Sequence, residues 1–191
     1  MTKMVSELNN QLMLYREQTN QVQFNILDSH DTPRLLTLAR GDKDLMRQVM
    51  AFTYLQQGVP CLYYGDEIGL TGDMDPDCRK CMIWEEEKQD RDLLHFTRSL
   101  ISIRKDNQKV LSEGSLSWNW VSEEDGLIIF ERELGAQRII GIFNTGDDQI
   151  TLSRPDSILM EQFVQLEDET MIIDNKGFAI VKVNNEESNE A

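Results

Sequence analysis

Several polar groupings in this chain combine residue types that can do chemistry. Ser29-His30-Asp31 stands directly behind the apolar run Val22–Leu27. An ionised carboxylate there can stabilise developing positive charge or bind hydroxyls, and an imidazole can donate to a hydroxyl. In parallel barrels and open α/β sheets, the loops that meet substrate lie at the C-terminal ends of strands. The competing reading is a turn, because Asp and Ser cap helices and favour turns. Gly65-Asp66-Glu67 repeats the arrangement behind a second apolar run, Val59–Tyr64. Cys78-Arg79-Lys80-Cys81 has the spacing of zinc and redox motifs, but zinc normally takes four ligands and no second pair accompanies it. No metal and no cofactor is therefore expected, and the pair reads as two free thiols in a loop. Cys61, inside an apolar run, reads as a small buried side chain. Trp118 and Trp120 alternate along a predicted strand and so share one face. Such a pair can stack on sugars, although aromatic pairs more often belong to a core. Glycine-rich phosphate loops and the Gly-x-Ser-x-Gly elbow of serine hydrolases are absent.

The elements that must position these groups follow from periodicity. Val5, Leu8, Leu12 and Tyr15 recur at helical spacing, and Val22–Leu27 suits a short buried strand. Asp42 offers an N-cap for a second helix with the stripe Met46, Val49, Met50 and Thr53, and Gly58 a stop. The order helix, strand, helix, strand is that of a parallel α/β architecture. Gly65–Glu87 holds three glycines and eight acidic residues without clear periodicity, and a stretch of that kind is more often functional than filler. A further helix is predicted over about 90–105. From there the period becomes two, with strands over Ser115–Trp120, Leu127–Glu133, Arg138–Asn144 and Phe178–Val183, which predicts a second, antiparallel β domain. Residues 184–191 are polar and expected to fray.

Composition narrows the partners. The 191 residues carry 34 acidic and 19 basic side chains, a net charge of −15. Nucleic acid and anionic membrane are disfavoured, since such a surface repels both. No apolar run approaches the roughly 20 residues that span a bilayer. The start lacks a secretory hydrophobic region, and three cysteines form no disulfide framework. A cytoplasmic location is expected.

Three stretches carry a resemblance. Phe24-Asn-Ile-Leu-Asp-Ser-His-Asp31 resembles the strand-seven motif of the α-amylase family of glycoside hydrolases. Gly58-Val-Pro-Cys-Leu-Tyr-Tyr-Gly-Asp-Glu67 is similar to that family's strand-eight motif. Asp75-Pro-Asp-Cys-Arg-Lys-Cys-Met-Ile-Trp84 looks like a loop of its neopullulanase, cyclomaltodextrinase and maltogenic amylase branch. The resemblance implies an α/β part followed by an all-β part. Residues 1–106 would form the last two βα units of a TIM (β/α)8 barrel, and 107–183 a C-terminal antiparallel β-sandwich domain. A whole barrel needs about 250 residues, so the rest of it cannot be here.

The same resemblance implies roles for few residues. Asp31 would bind sugar hydroxyls and stabilise an oxocarbenium-like transition state, and His30 would hydrogen-bond the same sugar. Asp75 and Arg79 would contact glucose units further along the cleft, with Glu67 supporting the loop. The family's nucleophile and acid/base lie on earlier strands, and retaining hydrolysis needs two carboxylates about 5 Å apart. The expectation is a C-terminal portion of an α-glucan hydrolase that is inactive alone, acting in the whole enzyme on cyclomaltodextrins, pullulan or maltooligosaccharides. The rival is a non-catalytic carbohydrate-binding or assembly module. Two barrel strands without neighbours leave edges and apolar faces open, so self-association into a homo-oligomer, or rearrangement of the N-terminal part, is expected.

Overall fold

A computed structural model describes residues 3–184 of the chain. Helices α1 (Lys3–Leu14) and α2 (Glu17–Val22) lead into strand β1 (Phe24–Ile26). A short helix α3 (Leu35–Leu38) and helix α4 (Lys43–Leu55) follow, then strand β2 (Val59–Cys61). Asp42 is the N-cap of α4, its side chain accepting from the backbone N–H groups of Asp44 and Leu45. The two strands pair in parallel, Phe24 opposite Val59 and Ile26 opposite Cys61. Directly opposed residues share a face, so these four side chains form one patch, and all four are exposed. Cys61 is therefore not the buried thiol expected. It lies on the strand face that no described element covers. On the other face Asn25 donates to the Gln57 carbonyl at 2.7 Å.

Helices α5 (Arg91–Asp106) and α6 (Gln108–Glu113) join this part to six strands. These are β3 (Ser115–Ser122), β4 (Leu127–Leu134), β5 (Gln137–Asn144), β6 (Ile150–Ser153), β7 (Ile158–Leu166) and β8 (Thr170–Asn184). They form one antiparallel sheet in the order β3-β4-β5-β8-β6, with β7 on the other edge of β8. Strand alternation gives the sheet two buried faces. Ile128, Phe130, Ile139, Phe143, Phe178 and Ile180 pack with Met46, Met50 and Leu55 of α4 and Leu93 and Leu100 of α5. Their neighbours Leu127, Ile142, Met171, Ile173, Ala179 and Val181 form a second core inside the curled sheet. Strand β7 escaped prediction because register breaks at Ile158/Met160 and Gln162/Val164 interrupt its two-residue period, and β6 because only four residues carry its alternation. Asn184 ends β8, and the remainder of the predicted frayed tail, 185–191, lies outside the described residues.

The two tryptophans do not share a face. A bulge at Asn119 sets Trp118 opposite Phe130 but Trp120 opposite Ile129. Trp118 consequently packs on the helix side, against Phe52 and Phe130, and donates to Asn9 Oδ1 at 2.9 Å. Trp120 points to the other side and is 53% exposed.

The carboxyl end of α4 is buried between α5 and the sheet, where its orphan carbonyls need donors. Arg104 donates through Nη1 to Tyr54 O (2.7 Å) and Gln56 O (2.9 Å), and through Nη2 to Gly58 O. Arg132, fully buried, donates to Leu55 O (3.1 Å), Gly114 O (2.8 Å) and Ser115 O (3.3 Å). Burial lowers both guanidinium groups to about 10, so both stay charged at neutral pH. Replacing Arg132 with Met leaves the buried Leu55 and Gly114 carbonyls and the part-buried Ser115 carbonyl without their donor, and a loss of about 3 kcal/mol of stability is expected. Urea denaturation reads it directly, and Arg132→Lys should recover less than half, because one ammonium cannot span the three acceptors.

Candidate active site

The parallel pairing of β1 and β2 brings the loops behind both strands to the same end of the sheet. All four site residues expected from sequence meet there. Arg79 Nε lies 2.8 Å from Asp75 Oδ1, and its Nη2 lies 3.3 Å from Asp31 Oδ1. His30 Nε2 is 3.3 Å from Asp31 Oδ2. The His30 carbonyl accepts from Arg79 Nε and from the Cys78 thiol, both at 3.1 Å. The side chains of His30, Asp31, Asp75 and Arg79 are 60%, 69%, 54% and 47% exposed. At that exposure each ion pair contributes under about 1 kcal/mol, so the arrangement orients carboxylates rather than stabilising the fold.

Hydrogen bonds within the 65–90 segment shape the loop that delivers Asp75 and Arg79. Three short 3-10 turns occupy it, Asp66–Ile68, Asp77–Arg79 and Glu86–Lys88. The Asp77 carboxylate accepts from the Asp73 N–H at 2.8 Å and pairs with Lys80 at 3.0 Å, and these two contacts hold its pKa below the usual value. Tyr64 donates its hydroxyl to Lys80 O at 2.6 Å. Glu67 accepts from Gly65 N–H at 2.7 Å, which closes the turn behind β2. The two loop cysteines diverge, Cys78 buried and Cys81 exposed. Among the described residues no three His, Cys, Asp or Glu side chains are placed to hold a metal ion.

Beneath the exposed residues lies a buried polar cluster that sequence reasoning missed. Arg34, with no exposed surface, donates to Tyr64 O at 2.6 Å. Its guanidinium sits over the rings of Tyr63 and Tyr64, 4.6 and 4.7 Å from their centroids. It lies only 3.7 Å from Asp66 Oδ1. Asp28, three residues before Asp31, accepts from Leu35 N–H at 2.8 Å and faces Asp66. Burial, then the hydrogen bond with Asp28, pushes the Asp66 carboxyl up to about 9, against a weaker downward pull from Arg34. The one sequence signal for this cluster was the Tyr63-Tyr64 pair in front of Gly65, a cation platform.

Two parallel strands with carboxylates clustered at their ends, followed by an antiparallel β domain, place the chain in the class of (β/α)8-barrel proteins with a C-terminal β domain. The family model described as "Alpha amylase, catalytic domain" matches residues 1–114, and the chain belongs to the α-amylase family. The "Intracellular maltogenic amylase" of Bacillus subtilis strain 168 is 47% identical over 146 residues, 76% of this chain and 25% of that protein. A "Cyclomaltodextrinase" from Thermoanaerobacter pseudethanolicus is 43% identical over 139 residues, 73% of this chain and 24% of that protein. A solved cyclomaltodextrinase structure superposes with a TM-score of 0.76 at 34% identity, covering 92% of this chain and 32% of that one. The ligand-free cyclic alpha-maltosyl-(1→6)-maltose hydrolase of Arthrobacter globiformis gives 0.78 at 29% identity, covering 94% and 38%. The chain thus spans about a quarter of the length of the curated relatives it matches.

The Asp66 shift has a definite sign. Unfolded Asp titrates near 4 and folded Asp66 near 9. Between those values the folded chain holds a proton that the unfolded chain lacks, so this group makes stability fall as pH rises through that window, by up to ~1.4 kcal/mol per pH unit. Asp66→Asn keeps the shape without the titration. Its urea midpoint should exceed that of the wild type at pH 8, and the gap should close toward pH 4. Parallel profiles for the two proteins would rule out a shared proton at Asp66.

Proposed function

We propose that this chain supplies the last two βα units and the C-terminal β domain of an intracellular retaining glycoside hydrolase acting on α-glucans, with cyclomaltodextrins, pullulan or maltooligosaccharides as substrates. The observation that carries the reading is the convergence of His30, Asp31, Asp75 and Arg79 at the ends of two parallel strands. In the assembled cleft Asp31 faces the sugar whose ring gains positive charge at the transition state, which its carboxylate stabilises. His30, 3.3 Å away, donates to a hydroxyl of the same ring. Arg79 fixes Asp31 relative to Asp75, and Asp75 and Arg79 contact glucose units further along.

Hydrolysis with retention needs a nucleophile and an acid/base about 5 Å apart across the scissile bond. Asp28 and Asp66 are buried and unavailable to a glucan, and Glu67 is engaged in closing its turn. The chain alone is therefore inactive, and its partners are the missing barrel units and the glucan. The name of the Bacillus subtilis relative supports an intracellular location, and among the described residues no helix is long and apolar enough to cross a membrane. Phe24, Ile26 and Val59, 69%, 59% and 40% exposed, favour self-association of the isolated chain through the open strand face.

New reducing ends from cyclomaltodextrin, pullulan and maltotriose test this reading. The chain alone should give none. Mixed with the remaining part of the Bacillus subtilis maltogenic amylase, it should give turnover that Asp31→Asn lowers by about a hundredfold or more. Turnover by the chain alone, abolished by Asp31→Asn, would place a second working carboxylate within these residues, with Glu67 the first to examine.

A further inference from the structure

Hydrolysis gives the Cys78-Arg79-Lys80-Cys81 motif no role, yet this motif brackets the arginine that ties the site together. Arg79 Nε lies 2.8 Å from Asp75 Oδ1, and its Nη2 lies 3.3 Å from Asp31 Oδ1. The Cys78 thiol, with no exposed surface, donates to the His30 carbonyl at 3.1 Å. Cys81, three residues on, is exposed. An exposed thiol with a buried one close by in the chain is the arrangement of a two-cysteine redox pair. The first reacts with an oxidant from solvent, and the second resolves the product. In a reducing cytoplasm such bridges are transient and redox-sensing rather than structural.

The loop around the pair has a fixed half and a free half. Cys78 belongs to the turn Asp77–Arg79, which presses against Gly72. A Cβ on Gly72 would stand 2.6 Å from Asp77 O and 2.9 Å from Cys78 Cα. Gly72 O in turn accepts from the Arg34 N–H at 2.9 Å. At Lys80 the backbone becomes extended, with φ −53 and ψ 148, and carries Cys81 out into solvent. One thiol is turned in and the other out, and cysteines so placed cannot be bridged without backbone movement. The residues that must move are the two between them, Arg79 and Lys80. Lys80 is held by the Tyr64 hydroxyl on its carbonyl, at 2.6 Å, and by its ammonium on Thr71 O, at 3.2 Å. Both contacts are exposed, so water replaces them with little loss.

We propose that Cys78 and Cys81 form a reversible thiol–disulfide site, oxidised by small disulfides of the glutathione class, and that closing the bridge draws Arg79 away from Asp31. The Cys81 thiolate attacks one sulfur of the small disulfide RSSR, so that a Cys81–SR bond forms and RS− leaves. The Cys78 thiolate then attacks Cys81 Sγ, which forms the Cys78–Cys81 bond and expels the second RS−. The two thiol protons end on the two RS− groups, so the protein is oxidised by two electrons and RSSR is reduced by two. A bridged Cys78 sulfur carries no hydrogen, so the His30 carbonyl loses that donor whatever path the backbone takes. Arg79, inside the closed four-residue loop, gives up its place between Asp31 and Asp75. That the bridge governs glucan hydrolysis rests on the function proposed above. The thiol chemistry and its effect at His30 do not.

The test uses the 191-residue chain with Cys61→Ser, which removes the third thiol at an exposed position. After treatment with oxidised glutathione, trypsin cuts behind Arg79 and Lys80, between the two cysteines. The peptides Gln48–Arg79 and Cys81–Lys88 should stay joined until dithiothreitol separates them. In proton–carbon correlation spectra the ring signals of His30 should shift on oxidation, while those of His95, the other histidine, stay in place. Adding Cys81→Ser, again at an exposed position, should leave the chain reduced and its His30 signals unmoved. A stable glutathione adduct on Cys81 with Cys78 free overturns the proposal, and so does a bridge that leaves His30 unmoved. In the reconstituted enzyme, oxidation should lower turnover about tenfold or more, reversibly with dithiothreitol, and should spare Cys81→Ser. Unchanged turnover in the fully bridged enzyme overturns the switch. If no glucan is hydrolysed under any condition while the bridge forms and His30 shifts, the functional reading fails and the thiol site stands.

Discussion

The carboxyl end of α4 is where a helix must stop inside the protein, and what stops it governs everything on either side. Its last carbonyls carry the negative end of the helix dipole; Thr53 O accepts from the Gln56 N–H, and Tyr54 O and Leu55 O are met by side chains. Two guanidinium groups meet them, Arg104 from α5 and Arg132 from β4. Each is a rigid fork with several donors, so each binds carbonyls from two or three different residues at once. Arg132 also takes Gly114 and Ser115, the entry to the β domain. One helix end thereby joins the second helix, the sheet and the linker between them. A buried charge is normally costly. Here hydrogen bonding to backbone carbonyls offsets the cost, including the repulsion that Arg104 adds at Arg132.

The same helix end aims the site. Beyond Leu55 the chain has three residues, Gln56 to Gly58, in which to turn into β2. Gly58, at φ +98, lies so near the Gln23 carbonyl that a Cβ would stand 2.6 Å from it. That close approach lets Val59 N–H donate to Gln23 O at 2.8 Å and sets the register of β2 on β1. With Gln56 and Gly58 fixed by Arg104 and Gln57 by Asn25, the three-residue strands are carried by the scaffold beneath them. They do not hold themselves together. Arg34, Asp28 and Asp66 then tie the two strand ends from below, and Arg79 ties Asp31 to Asp75 from above.

How much of this was legible in the sequence depended on whether a local pattern carried it. The Asp42 cap, the helices of α4 and α5 and the polar strand ends follow from residue type and period, and the loops bring the four named site residues together as their order suggested. The structural arginines left no such trace. Arg132 stands in Glu131-Arg132-Glu133, which reads as a solvated charged strip, and only the pleat shows that it points at α4 while its neighbours do not. Asp66 reads as one more acid in an acidic loop, because desolvation depends on what packs around it. The bulges at Asn119 and in β7 shift the two-residue period by one, so alternation assigned Trp120 to the wrong face and hid β7 altogether.

Two imbalances remain in residues 3–184, and they lie on the same side. The face formed by Phe24, Ile26 and Val59 exposes more apolar surface than a small parallel pair would be expected to leave in water, since parallel strands are ordinarily covered on both faces. At the ends of those strands, Arg34 Nε and Nη2 are buried without a hydrogen-bond partner among the described residues, and the buried Asp66 carboxyl has only the facing Asp28 carboxyl to share a proton with. Buried polar groups are satisfied in nearly all native structures. Additional parallel strands beside β1 and β2 would correct both, covering the apolar face with their side chains and bringing polar groups to the strand ends. The relatives that the chain matches extend well beyond the matched part: this chain spans about a quarter of their length.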